Sequence, residues 1–154
     1  MSEHSLWMRW KTIHRTANPL PGAPLDIISK WPLITRSYVF EMNIYAGIAA
    51  ILLALQFVTE ITSSMYYDGA IVIIGLILAH AANNMMNDFF DTLHGVDTEG
   101  YPRTEYGPHA IIDKLISTKG LILAIFFCNL IDLIIAVYFY QKVGLDILYF
   151  VFAG

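Results

Sequence analysis

Asn84, Asn87, Asp88 and Asp91 recur at intervals of three and four within HAANNMMNDFFDTLHGVD, residues 80–97, where an apolar run long enough to cross a bilayer turns polar. On a helix that advances about 100° per residue these four share one face, with His80 one turn earlier. The same geometry assigns Ala81, Ala82, Met85, Met86, Phe89 and Phe90 to the other face, as helix–helix or lipid contacts. A carboxylate at membrane depth costs about 2.5–3.5 kcal/mol on insertion scales, so the stripe must face protein, water or a bound cation. A helix carboxyl end already carries partial negative charge, which makes a compensating cation more favourable still. Asp97, just past the expected helix end, adds a further carboxylate. Every donor is oxygen, and such sets suit hard cations. Mg²⁺ in particular keeps several waters and shares one or two carboxylates with substrate phosphates. The candidate metal ligands are therefore Asn87, Asp88, Asp91 and Asp97. Zinc is the weaker reading. His80, His94 and His109 are near, but neither HExxH nor CxxC spacing is present, and each histidine alone reads as a polar packing or interface residue.

The segment that follows, TLHGVDTEGYPRTEYGPHAI, holds three glycines and two prolines and reads as an irregular loop. It brings Arg103, Tyr106, His109 and Lys114 to the same side as the carboxylates. Acidic groups to hold Mg²⁺ beside basic groups to hold phosphate oxygens are what a diphosphate substrate requires. Arg103, Tyr106 and Lys114 are candidate substrate-binding residues. For Arg103 and Lys114 the competing reading is topology signal plus lipid-headgroup contact.

The elements that position these residues are membrane spans. Of 154 residues 56% are hydrophobic and only 14% charged, with mean hydropathy +0.56, too little charge to cover a soluble domain of this size. Spans are expected over about 37–58, 69–90 and 121–140, the first of them roughly 33 Å long against a hydrocarbon core of about 30 Å. A fourth apolar run, 144–154, is too short to span, and the chain reads as the front part of a longer protein. Residues 1–36 read as an interfacial or loosely ordered lead-in in which Pro19, Pro21 and Pro24 rule out a continuous helix. Of the nine Lys and Arg residues, all but Lys142 fall on one side of this topology, which makes that side, the amino terminus and the motif loop cytoplasmic. The expected setting is multi-pass, in a prokaryotic plasma membrane, with lipid as a partner and no nucleic acid. The formal charge of -4 says little about partners. Lone Cys128 excludes an intrachain disulfide and reads as a small packed hydrophobe. Asp132 and Asn129, three apart inside the third span, read equally as functional groups or as an interhelical hydrogen bond. Glu41 reads as an interfacial residue that snorkels or pairs with a basic neighbour.

The run NDFFDTLHGVDT, with Asn87, Asp91 and Asp97 and with Asp88 inside it, resembles the first aspartate-rich motif of the UbiA superfamily of intramembrane prenyltransferases. The wide gap ending in GVDT is similar to the menaquinone-type branch, which prenylates dihydroxynaphthoate. Downstream, PRTEYGPHAI is similar to archaeal and bacterial members, and ITRSYVFEMNIYAGIAAILLAL resembles their first helix. The resemblance covers most of the chain from about Lys30. It implies an all-α, polytopic membrane bundle of roughly nine spans around a central cavity, of which this chain supplies three and the start of a fourth. It implies Mg²⁺ held by Asn87, Asp91 and Asp97, with Asp88 and Asn84 beside them and Arg36 on the diphosphate. It also implies transfer of a prenyl group to an electron-rich, typically aromatic, acceptor in quinone biosynthesis. The family's second aspartate-rich motif, on a later helix, has no counterpart in these residues, so the chain alone reads as an incomplete enzyme.

Two other functions compete. Phosphatidyl-alcohol transferases also pair membrane helices with Mg²⁺ carboxylates, but HGVDTEGYPR does not supply their Asp-Gly and Ala-Arg signature. A cation transporter or channel piece, or a non-catalytic fragment, is the alternative outside enzymes. A channel predicts polar residues along the depth of several spans, whereas here they gather at one helix end.

Overall fold

A computed structural model of the chain describes residues 5–100 and 107–148. The described residues are helical, without strands: α1 (Leu6–Thr16), α2 (Ile27–Ile34), α3 (Phe40–Leu55), α4 (Ser63–Leu93) and α5 (Thr118–Val143). Short 3₁₀ turns precede α3 at Ser37–Val39 and follow α5 at Gly144–Asp146. Among the described residues three helical stretches are long and apolar enough to cross a membrane: Ser37–Leu55, Ser63–Leu93 and Thr118–Asp146. They match the three expected spans in place. The second is longer than expected at both ends: its 31 residues make about 46 Å of helix, more than a hydrocarbon core of about 30 Å requires. The fourth apolar run lies mostly outside the described residues.

α4 is the central helix and packs against both α3 and α5. The α3 contact depends on small residues. A Cβ on Gly47 would stand 2.8 Å from Ile73 Cγ1, and one on Gly69 would stand 2.9 Å from Ile51 Cδ1. Lipid tails are as apolar as leucine, so close backbone approach and interhelical hydrogen bonds hold such helices together. Asn43 supplies one, donating from Nδ2 to the Leu76 carbonyl at 2.9 Å. At the far end of α4, Asp68 accepts from Tyr138 Oη at 2.7 Å and from Lys142 Nζ at 2.6 Å. Lys142 also lies over the Tyr138 ring, 4.8 Å from its centroid. The one basic residue expected on the opposite side is thus engaged in clamping α5 to α4.

The protein-buried core lies at the other end. Ile13, Leu33, Ile34, Ala81, Met85, Ala110, Leu115 and Leu121 form one cluster contributed by α1, α2, α4, the 107–117 segment and the start of α5. The amino-terminal lead-in is therefore two ordered helices. The prolines at 19, 21 and 24 fall in the connection between them, and Pro32 lies inside α2. A local cap and contacts between and beyond the two helices hold them in place. Asp26 caps α2, its Oδ1 accepting from the N–H groups of Ile28 and Ser29, both at 2.9 Å, and its Oδ2 accepting from Ser29 Oγ at 2.9 Å. Arg9 of α1 pairs with the same carboxylate at 2.5 Å. Trp7, Trp10 and Trp31 stay exposed on this unit, as suits an interfacial belt.

The Ser29 N–H, then its hydroxyl, Arg9 and the Ile28 N–H hold the Asp26 carboxyl below the ordinary carboxylate range. A depressed folded pKa contributes stability above the unfolded value, and that stability is lost as pH falls through the folded one. The α1–α2 unit is expected to loosen below about pH 4. All three tryptophans belong to it, so intrinsic fluorescence reads the transition, and Asp26→Asn should flatten it.

Candidate functional site

The carboxyl end of α4 faces a knot of backbone and polar side chains. α2 ends at Ile34, and Arg36 then takes a left-handed conformation, φ 55°. This reversal turns two successive residues toward α4. Asn84 donates from Nδ2 to the otherwise orphaned Thr35 carbonyl at 3.1 Å. One turn further along, Asp88 accepts from the Arg36 guanidinium in a close ion pair. Ser37, next in sequence, meets His14 Nε2 of α1 at 3.0 Å. The His14 Nδ1 proton is directed to the Trp10 carbonyl at 2.9 Å, so Nε2 is the acceptor and the serine hydroxyl donates.

α4 stops because of Gly95. His94 is the last helical residue's cap, and Gly95 follows at φ 69°. The Val96 N–H donates to the Asp91 carbonyl at 2.8 Å and the Gly95 N–H to the Thr92 carbonyl at 3.2 Å, the pair of bonds that defines a Schellman motif. The chain folds back on itself, and the Asp97 N–H also reaches the Asp91 carbonyl, at 3.2 Å. Asp97 is thereby buried.

A second such reversal ends the 109–113 turn. Lys114 is left-handed at φ 54°, and the Leu115 N–H donates to the Ala110 carbonyl at 3.1 Å. At the front of that turn His109 is almost fully buried. Its backbone N–H donates to Asp113 Oδ2 at 2.5 Å. Its Nε2 lies 3.5 Å from Asp97 Oδ2 and 3.8 Å from Asp88 Oδ1. The neighbouring Ala110 N–H points at Asp88 Oδ2, 3.4 Å away.

The expected stripe therefore divides. The buried arc of α4 carries Ala81, Ala82, Asn84, Met85 and Asp88, Asp91 is half-buried at its edge, and Asn83, Met86, Asn87 and Phe90 lie on the exposed arc. Met85, expected opposite the acidic face, is instead in the core beside Asp88. The reason is the width of the contact. α4 is covered here by α2, the 107–117 segment and α5 together, so a broad arc is buried and its edge cuts through the polar stripe. Asp88 has both carboxylate oxygens facing protein donors. Lys114 is exposed. Arg103 and Tyr106 lie outside the described residues. His80 packs edge-on against Phe40, centroids 5.9 Å apart, and His94 stacks on Phe90 at 6.0 Å.

Among the described residues no three His, Cys, Asp or Glu side chains form a ready-made metal cluster. The donor chemistry of Asn87, Asp91 and Asp97 nonetheless fits Mg²⁺, which takes few protein ligands and completes its shell with water and phosphate oxygens. His109 is the residue that sequence reasoning set aside. The signal available for it was HAIID, an acid four residues after a histidine in a segment opened by Gly-Pro.

No protein-family model matches the chain, and no curated protein or solved structure matches it. The described residues define an all-helical arrangement with three helices long and apolar enough to cross a membrane and a polar knot at one end of the central helix.

Asp88→Leu should cost about 3 kcal/mol, because it strands a partly buried guanidinium. Arg36→Met in the same chain should recover most of that loss. Unfolding midpoints in a detergent–SDS titration of the two single variants and the double variant measure the difference.

Proposed function

We propose that the chain carries the first half-site of a Mg²⁺-dependent intramembrane prenyltransferase, which transfers a prenyl group from its diphosphate to an electron-rich, aromatic acceptor. The observation that supports this reading best is the gathering of Asn84, Asp88 and Asp97 with Arg36 at the end of a membrane-length helix, with Asp91 at the margin of the same surface. Oxygen ligands and a guanidinium held at the boundary of an apolar layer suit a substrate whose head is a diphosphate and whose tail is hydrocarbon.

In this reading Asn87, Asp91 and Asp97 would hold Mg²⁺, which when bound neutralises charge on the departing diphosphate. Asp88 fixes Arg36, whose partly exposed guanidinium stays at the surface of the site to meet phosphate oxygens. Asn84 fixes the backbone on which Arg36 is mounted. Arg103, Tyr106 and Lys114 extend the basic side of the site. The C–O bond to the diphosphate breaks, the allylic carbon is attacked by a ring carbon of the acceptor, and the ring proton is then lost. An apolar surround keeps water from intercepting the cation. The quinone-type acceptor, dihydroxynaphthoate among the candidates, rests on the GVDT resemblance.

Turnover of a prenyl diphosphate is the test, run on the 154-residue chain and on the complete reading frame that contains it. Asp91→Ala and Asp97→Ala should each lower turnover by on the order of 100-fold. Wild-type turnover in both variants removes these residues from the mechanism.

A further inference from the structure

We propose that the exposed face of the α1–α2 unit is a docking surface for anionic phospholipid, in which Trp7, Trp10 and Trp31 enter the headgroup layer and Lys11 and Arg15 meet its phosphates. The inference goes beyond the prenyltransferase reading and does not depend on it.

Helix geometry sets the face. At about 100° per residue, Trp10, His14, Trp7, Lys11 and Arg15 follow one another around α1 within an arc of about 140°. All five are exposed, and together they line one groove. Ile13, on the far side of the helix, is buried in the core. Trp10 and His14 also form one wall of a second groove, of about 460 Å³, whose other wall includes Ile28, Trp31 and Pro32 of α2. The exposed faces of the two helices are thus continuous. Ile27 is 75% exposed and Trp7 65%, so the described residues leave this apolar surface uncovered. An exposed apolar patch rimmed by charge marks a membrane or a partner contact.

Charge and position choose the membrane. Residues 5–36 contain one acid, Asp26, which is taken by Arg9 and by the α2 cap. Arg36 is taken by Asp88. Lys11, Arg15 and Lys30 remain, and among the described residues no carboxylate pairs with them. His14, inside the same arc, is occupied by Ser37 and the Trp10 carbonyl. The surplus on this face is therefore positive, the complement of an anionic headgroup layer. α2 ends at Ile34, and the first membrane-length stretch begins at Ser37. Three residues reach about 11 Å at most. The Asn84 bond to the Thr35 carbonyl and the Ser37 bond to His14 hold this connection down. The unit is thereby kept beside the entry of that stretch into the apolar layer. Tryptophan is favoured at such a boundary, and each basic group there adds about 5-fold in affinity for an anionic surface.

Because all three tryptophans lie in this unit, intrinsic fluorescence of the full chain reads the contact without a label. The chain is reconstituted in phosphatidylcholine vesicles with a minor fraction of phosphatidylglycerol. Bromine, a contact quencher, is carried on the acyl chains of the phosphatidylglycerol or of an equal amount of the phosphatidylcholine. The expected result is stronger quenching from brominated phosphatidylglycerol, a preference that weakens as salt is raised. Lys11→Gln combined with Arg15→Gln should lower the preference by about 25-fold at low salt, with quenching by brominated phosphatidylcholine and helix content by circular dichroism both retained. Equal quenching by the two bromolipids in the wild-type chain, or a preference indifferent to salt, overturns the selection of anionic lipid. An undiminished preference in the double variant overturns the role of Lys11 and Arg15. Water-exposed emission with no quenching by either lipid overturns the docking itself and leaves the face to a protein partner.

Discussion

The ion pair between Arg36 and Asp88 sets the register of the whole polar end. Asp88 is almost wholly buried, and a lone carboxylate there would be strongly disfavoured. Its position is tolerable because three groups converge on it: the guanidinium from the α2–α3 turn and, from the 107–117 segment, the Ala110 N–H and the His109 ring. Each of those groups is held by a backbone feature of its own. Arg36 takes a left-handed conformation, which costs a non-glycine residue about 1–2 kcal/mol, and the pair it reaches compensates. Because Asn84 and Asp88 are one turn apart, they grip Thr35 and Arg36 in order. A rotation of α4 by a single residue, about 100°, would lose both contacts at once.

At the opposite end of α4 the Asp68–Tyr138–Lys142 group does comparable work on α5. Between the two ends the helices meet mainly through apolar side chains and glycines, with the Asn43 bond to the Leu76 carbonyl joining α3 to α4. α5 is mostly apolar, with Phe126, Phe127, Leu133 and Ile134 exposed, so its apolar surface does not by itself select one facing direction. The polar contacts at the ends are what choose it. This division explains why the buried core is concentrated beside the site and is sparse along the spans, where lipid or other helices can serve as the apolar surround.

The three candidate spans were legible because length and hydropathy alone decide them, and the polar end of α4 was legible because acids beside an apolar run demand an explanation. The amino-terminal helices were not. Pro19, Pro21 and Pro24 break the chain but say nothing of the segments on either side, and α1 owes its order to tertiary contacts of Ile13 and Arg9. The division of the stripe was also hidden. Helical periodicity says which residues share a face, but the width of the buried arc depends on how many neighbours cover it, and here the 107–117 segment is one of them. That segment overlaps a run that read as irregular for its glycines and prolines, and its helix-like turn ends on left-handed Lys114, where no glycine announces a reversal. Gly95, by contrast, marked its own reversal in the sequence.

Asp132 shows the other way in which a membrane helix can hold an acid. Asn129, for which an interhelical hydrogen bond was one of two readings, instead donates to the Ile125 carbonyl of its own helix at 2.8 Å. Asp132 turns toward α4 at Gly75, where a Cβ would lie 3.6 Å from its Oδ1, and that buried oxygen has no hydrogen-bond partner among the described residues. Asp88 and Asp132 thus differ in what surrounds them. Asp88 has a guanidinium and a backbone donor and stays anchored whatever binds nearby. Asp132 has only the room that a glycine leaves and no such donor on its buried oxygen. Of these two acids, the one that the fold holds with donors is at the carboxyl end of α4.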